Sequence, residues 1–176
     1  MWDLMTEELL ATFLGLIVAA VGVIVAIITF YYQRKQYELG ALIEAFKLLN
    51  SPDHREARTI TYGKFKGKSD IRSSRIREAL ARHENTDILM EESQAMVRAD
   101  FDQMGALIKN KLIPETAFLD AYWHTVLMCW KALENEIKEQ RNQRQNPPYM
   151  INFEELKKRA ESYRKKVHQD VPIEIY

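Results

Sequence analysis

The sequence predicts an all-α protein, in which a single N-terminal transmembrane helix continues into a cytoplasmic helical bundle. Three observations predict it. Residues 10–32, LATFLGLIVAAVGVIVAIITFYY, form an apolar run of 23 positions without a charge. Every Lys and Arg lies at or after Arg34. Beyond the run, apolar residues recur at helical spacing, and no stretch alternates apolar and polar for long enough to make a sheet. The chain therefore divides into a short extracytoplasmic N-terminus (1–9), a transmembrane helix (10–32) and a cytoplasmic domain (33–176).

As a helix, the run at 10–32 reaches about 35 Å, against roughly 30 Å of bilayer hydrocarbon. A soluble core helix would carry a polar stripe, and this run has none. A cleaved signal peptide starts basic, has a shorter apolar stretch and ends in small residues. This chain starts with Asp3, Glu7 and Glu8, and its run ends in Phe30, Tyr31 and Tyr32, so it reads as an anchor. Arg34 and Lys35 follow at once and place the C-terminal side in the cytoplasm. Trp2, Tyr31 and Tyr32 suit the two interfaces. Ala11, Gly15, Ala19, Gly22, Ala26 and Thr29 recur every three or four residues and share one face. In lipid such a face lets helix backbones approach closely, so Gly15, Ala19, Gly22 and Ala26 are the expected packing residues of a homo-oligomer.

The helix is expected to run on through 33–49, with Tyr37, Leu42, Ala45, Phe46 and Leu49 on one side. Asn50-Ser51-Pro52 breaks it and starts a second helix, Ser51 as cap and Pro52 at the first position. That helix carries Ala57, Ile60, Thr61 and Phe65, and Gly63 and Gly67 loosen its end before the basic loop 64–69. A short helix is expected over 70–84. The next, from Asp87 to about Asn110, presents Leu89, Met96, Val97, Phe101, Met104, Leu107 and Ile108. Pro114 opens a long helix with Phe118, Leu119, Tyr122, Val126, Trp130, Leu133 and Ile137, which the polar run 139–146 ends. After Pro147-Pro148, Asn152 and Glu155 fit a capping box for a last helix to about 168. The tail VPIEIY reads as extended and apolar.

Charge is unevenly placed on a chain that is neutral overall. Residues 33–82 carry a net of +6 and residues 83–176 a net of −3. A basic block beside a membrane draws anionic lipid headgroups, and it equally serves as a solvated helix face with the positive-inside signal. One cysteine, Cys129, excludes an internal disulfide.

Few residues suggest chemistry. There is no Gly-rich phosphate loop and no metal-type Cys/His spacing, so no metal and no cofactor are expected. Asp120 and His124 lie four apart on a helix and face the same way, as an acid–base pair or a hydrogen-bonded one. Arg77 and His83 form Arg-x5-His, the loose pattern of helical ribonucleases of the HEPN class, where His does acid–base work and Arg steadies phosphate. Most active examples place a polar residue directly after the Arg; here it is Glu78, whose carboxylate repels phosphate. Arg77 and His83 are thus the candidate catalytic pair, expected to be inactive.

Residues 98–163 resemble a broad bacterial family of unknown function with one N-terminal membrane helix and a small helical domain. Phe101, Gly105, Leu107, Ile108, Tyr122-Trp123, Trp130, Leu133, Arg141, Asn146, Tyr149 and Asn152-Phe153-Glu154 carry the likeness, with SPDHREAR at 51–58 upstream. Within that neighbourhood the layout is similar to the small transmembrane accessory proteins of type VI (VI-B) CRISPR systems, which have a divergent HEPN-like domain. That resemblance implies a protein of the bacterial inner membrane that forms a homo-oligomeric pore and enhances an RNA-guided CRISPR ribonuclease in antiviral defence. Its implied partners are itself, the lipid bilayer and that effector, with RNA a further partner. A membrane-tethered HEPN-type ribonuclease and a non-catalytic membrane adaptor are the alternatives that the residues leave open.

Overall fold

The computed structural model describes the backbone of residues 2–66, 78, 82 and 86–167, with side chains over 12–63, 78, 82 and 86–167. The protein is all-α, and the described residues contain no strand. The helices are α1 (Trp2–Asn50), α2 (Pro52–Lys66), α3 (Thr86–Lys109), α4 (Glu115–Gln143) and α5 (Ile151–Val167). Two compact units are present, Met1–Gly40 and Ala41–Tyr176.

The first unit is helix alone. From Thr12 onward α1 is long and apolar enough to cross a membrane by length and composition, and its most apolar window is wholly unburied. At its far end Arg34 Nε donates to Glu38 Oε1 at 3.1 Å, one turn on. Tyr37, expected on the apolar side, is 79% exposed: the inward face begins at Leu42, Ala45 and Leu49.

The second unit is a bundle whose core is drawn from every described helix in it. Leu42, Ala45 and Leu49 join Ala57, Val97, Phe101, Met104, Phe118, Val126, Leu133, Phe153 and Leu156 in one apolar cluster. Each fully buried Leu, Phe or Met contributes about 1.5–3 kcal/mol. Three rings organise the centre: Phe101 stacks on Phe153 at 5.3 Å, and Trp130 meets Phe153 edge-on at 5.1 Å. Phe46 and Phe118 both lie against Tyr122, each at 5.4 Å.

Helix ends follow local chemistry. The Ser51 carbonyl accepts from Arg55 N–H at 3.0 Å and Pro52 occupies the first turn, as the sequence predicts. Pro114 stands just outside α4, at its N-cap with an extended backbone, and α4 runs five residues into the polar stretch at 139–146. Both α3 and α4 close with paired backwards hydrogen bonds: Leu112 N–H to Leu107 O with Lys111 N–H to Ile108 O, and Asn146 N–H to Arg141 O with Gln145 N–H to Asn142 O. This closure puts the residue after the cap in the left-handed region, and Lys111 (φ 56) and Gln145 (φ 49) occupy it without being glycine.

The capping box at Asn152 is not formed. Asn152 lies inside the first turn of α5, and its backbone N–H and that of Phe153 both donate to Asp102 Oδ1 on α3, each at 3.0 Å. Asn152 Nδ2 donates to Asp102 Oδ2 at 3.2 Å, while Glu155 reaches out to Lys109. A carboxylate from another helix does the capping, and it sits where the helix dipole favours negative charge. Residues 67–77, 79–81, 83–85 and 168–176 lie outside the described residues, so the expected short helix at 70–84 is described only at Glu78 and Arg82 and the tail not at all.

Candidate functional site

A line of polar side chains runs down the inward side of α2. His54, Arg58 and Tyr62 are spaced by four, which stacks them on one face. His54 Nδ1 meets Asp100 Oδ2 of α3 at 2.6 Å. Arg58, 8% exposed, donates from Nη2 to the Leu49 carbonyl at 2.6 Å, satisfying an end of α1. Its Nη1 is buried with no hydrogen-bond partner. Tyr62 Oη and Cys129 Sγ of α4 share a hydrogen bond at 3.2 Å, and the Tyr122 hydroxyl is hydrogen-bonded by the Asn50 side chain.

Arg58 is the electrostatic centre of this cluster. Its charge acts on Asp100, Tyr62, Tyr122 and Cys129, and in each case favours the ionised form. Burial wins throughout. It pushes the Cys129 thiol up to about 12 and the two tyrosine hydroxyls above their ordinary values. It also raises Asp100 above the ordinary carboxylate value, against the pull of His54 and Arg58. Cys129 is therefore a thiol at neutral pH and a poor nucleophile. His54 Nδ1 and Asp100 Oδ2 stand within hydrogen-bond distance, the geometry of an imidazole oriented by a carboxylate.

A second constellation joins α3, α4 and α5. An ideal Cβ on Gly105 would lie 2.2 Å from the Asn152 carbonyl oxygen, so only glycine lets the start of α5 rest on α3. Asp102, one turn before Gly105, supplies the cap described above. Arg141 of α4 donates from Nε to the Tyr149 carbonyl at 2.8 Å and from Nη1 to Glu154 Oε2 at 2.9 Å. Arg144 lies over the Tyr149 ring. Hydrogen bonds from Lys158 and then Arg141 hold Glu154 below the usual carboxylate value.

Gly15, Ala19, Gly22 and Ala26 are all exposed on α1, and a Cβ on Gly15 or Gly22 would meet nothing within 4 Å. Arg77 and His83 lie outside the described residues. Asp120 and His124 do not pair: Asp120 accepts from the Tyr163 hydroxyl of α5, and His124 stands edge-on to Trp123. Among the described residues no group of three or more His, Cys, Asp or Glu is placed to hold a metal ion. In the sequence His54 has an ordinary explanation just after a helix start, and Asp100 stands out in no pattern. The i, i+4, i+8 line on α2 was a usable signal, but Asp100 lies 46 residues away and no spacing points to it.

Residues 16–160 match the family described as Domain of unknown function (DUF4760), and the chain belongs to that family. The match takes in α2, α3, α4 and most of both α1 and α5. No curated protein and no solved structure matches the chain.

Proposed function

We propose that this DUF4760 chain is a membrane-anchored accessory protein of antiviral CRISPR defence, which self-associates into a membrane pore and enhances an RNA-guided, RNA-cleaving effector. One observation carries the membrane part: over Thr12–Tyr32 every side chain is exposed, almost all are apolar, and none is charged. Water is a poor solvent for that surface, at about 25 cal/mol for each Å² of apolar area, and lipid is a good one. Arg34 and Lys35 favour a bundle on the cytoplasmic face of a bacterial inner membrane. The accessory role and a divergent HEPN-like character of the bundle rest on the resemblance in layout: the chain length, the single N-terminal anchor and the Arg77/His83 pair.

Lipid does not drive helices together, because it is as apolar as Leu; close backbone packing does. The open surface at Gly15 and Gly22 leaves room for it. An apolar lining would close by dewetting. The test is dye release from vesicles of bacterial lipid carrying the full chain. The parent is expected to release dye and to run as an oligomer in detergent. Gly22→Leu should insert equally well, because Leu is favourable in lipid, and lose both properties. A parent that is monomeric at membrane-like densities and leaves vesicles sealed would overturn the pore and leave an adaptor. Cleavage of single-stranded RNA that disappears in His83→Ala would replace it with a ribonuclease.

A further inference from the structure

Within the bundle, α2 is held in a different manner from its neighbours. Among the described residues its buried apolar side chains are Ala57 and Ile60, and none of the largest fully buried side chains is its own. The rest of its inward face is polar: Arg58 and Thr61 are buried, with His54 and Tyr62 partly buried beside them. Its links to other helices include hydrogen bonds from His54 to Asp100 of α3 at 2.6 Å, between Tyr62 and Cys129 of α4 at 3.2 Å, and from Arg58 to the Leu49 carbonyl of α1 at 2.6 Å. Thr61 bonds back to Ala57 of its own helix at 2.8 Å. The three later helices close on each other without α2. Phe101, Trp130 and Phe153 pack their rings across α3, α4 and α5. Arg98 of α3 bonds Glu136 of α4, Asp102 of α3 caps α5, and Arg141 of α4 holds Glu154 of α5.

We propose that α2 is a releasable strap: it lifts from α3 and α4 as a unit, uncovering Asp100 and Cys129, while α3, α4 and α5 stay folded. A hydrogen bond between helices contributes little net stability, because water replaces it when the helices part. Buried apolar surface has no such replacement, and it is concentrated in the other helices. Arg58 tips the balance further towards release. Its guanidinium is buried, and among the described residues Nη1 has no hydrogen-bond partner. Lifting α2 returns that group and its charge to water, so the closed state carries a cost that the open state sheds. Burial opposes ionisation of Asp100, Tyr62 and Cys129, the same loss of water at three more groups. A helix with few buried apolar contacts opens locally, below the global unfolding transition. The strap is a property of the bundle and does not depend on whether the chain forms a pore.

The test is labelling of Cys129, the chain's one cysteine, by a thiol reagent on the full chain in detergent, across a series of urea concentrations. The Cys129 side chain is fully enclosed beside Tyr62, so labelling reports an opening. Labelling of the parent should proceed well below the global transition, with a urea slope about half that of global unfolding or less, because less surface is exposed. Amides of 52–62 should lose hydrogen-exchange protection together with it, while those of 97–108 and 118–137 stay protected. Tyr62→Phe, which removes one link and keeps the ring, should speed labelling about two- to tenfold. Phe153→Leu, which loosens the packing of α3, α4 and α5, should lower the melting temperature and leave labelling in the absence of urea unchanged. Labelling that follows the global slope, or that Phe153→Leu accelerates, would overturn the strap, since α2 would then open only with the whole bundle. Labelling indifferent to urea would overturn it too, since a side-chain fluctuation would suffice to expose the thiol.

Discussion

Residues 12–32 and the bundle use the same apolar side chains in opposite ways. Phe13 is 65% exposed, Leu16 68% and Val18 70%, whereas Phe101, Phe118 and Phe153 are fully buried. In the bundle the protein supplies its own apolar surroundings, and each side chain is fixed by particular neighbours. Along residues 12–32 the surroundings are left to the solvent, so composition and length matter more than any one position. The glycines make this concrete. A Cβ on Gly105 collides with the backbone of Asn152, while one on Gly22 meets nothing. The same residue type serves a fixed contact in one region and an open surface in the other.

The largest effect should come from exploiting that contrast. Gly105→Ala forces α3 and the start of α5 apart, because the obstructing atoms are backbone and cannot swing away. It should destabilise the bundle by about 3 kcal/mol, the upper end of the range for overpacked core sites. Gly22→Ala should leave thermal unfolding of the bundle unchanged within about 0.5 kcal/mol. Calorimetry of the two variants in the same detergent checks both. Equal melting temperatures would mean that the Gly105 contact carries no weight.

Next in size is the cap on α5. Asp102 accepts from two backbone N–H groups and from the Asn152 amide. Asp102→Ala leaves the first turn of α5 without those partners and should cost about 1–2 kcal/mol. Asp102→Asn should recover part of it, since one amide oxygen still accepts. Urea titration followed by tryptophan fluorescence would measure both, with Trp130 beside Phe153 as the reporter.

A smaller effect concerns acid. Glu154 is held down by its hydrogen bonds to Lys158 and Arg141. A carboxylate lowered in the folded state adds stability that is present above its ordinary value and lost as pH falls through the lowered one. Glu154→Gln should therefore destabilise the bundle at pH 7 and make no difference near pH 2. This slope is opposite in sign to the one expected at Asp100, whose carboxyl is raised by burial. The two carboxylates lie in one unit, so their variants compared in one pH series separate burial from pairing as the dominant influence.

Much of the fold was legible because it depends on periodicity. The apolar stripe of α4, from Phe118 through Ile137, is buried at every position that spacing picked out. The long apolar helix at the N-terminus, a candidate membrane span, needed only its length and its missing charges. What stayed hidden depends on pairs distant in sequence. Asp102 caps a helix 50 residues later, so a local capping box at Asn152 and Glu155 was the natural and incorrect reading. Gly105, Arg141, Tyr149 and Asn152 carried the family resemblance, and their reason is visible only once α3, α4 and α5 meet. The His54–Asp100 pair has the same origin: each residue alone fits an ordinary helix position.

The smallest expected effect tests how far local rules govern the bundle. Lys111 closes α3 in a left-handed conformation, with φ of 56, and its backbone N–H is used by Ile108 O. A Cβ crowds the neighbouring carbonyl in this region, which costs a non-glycine residue on the order of 1 kcal/mol. Glycine adopts the conformation freely but has more freedom to lose when the chain folds. The two effects oppose each other, and at a helix terminus relief of crowding wins, which is why glycine is so frequent there. Lys111→Gly should therefore stabilise the bundle by about 0.5–1 kcal/mol, and Lys111→Ala should not, since alanine keeps the Cβ. Lys111 is exposed, so neither change removes a buried contact. Thermal unfolding of the pair would decide it: stabilisation by alanine as well as glycine would assign the gain to the lost lysine charge, not to the backbone.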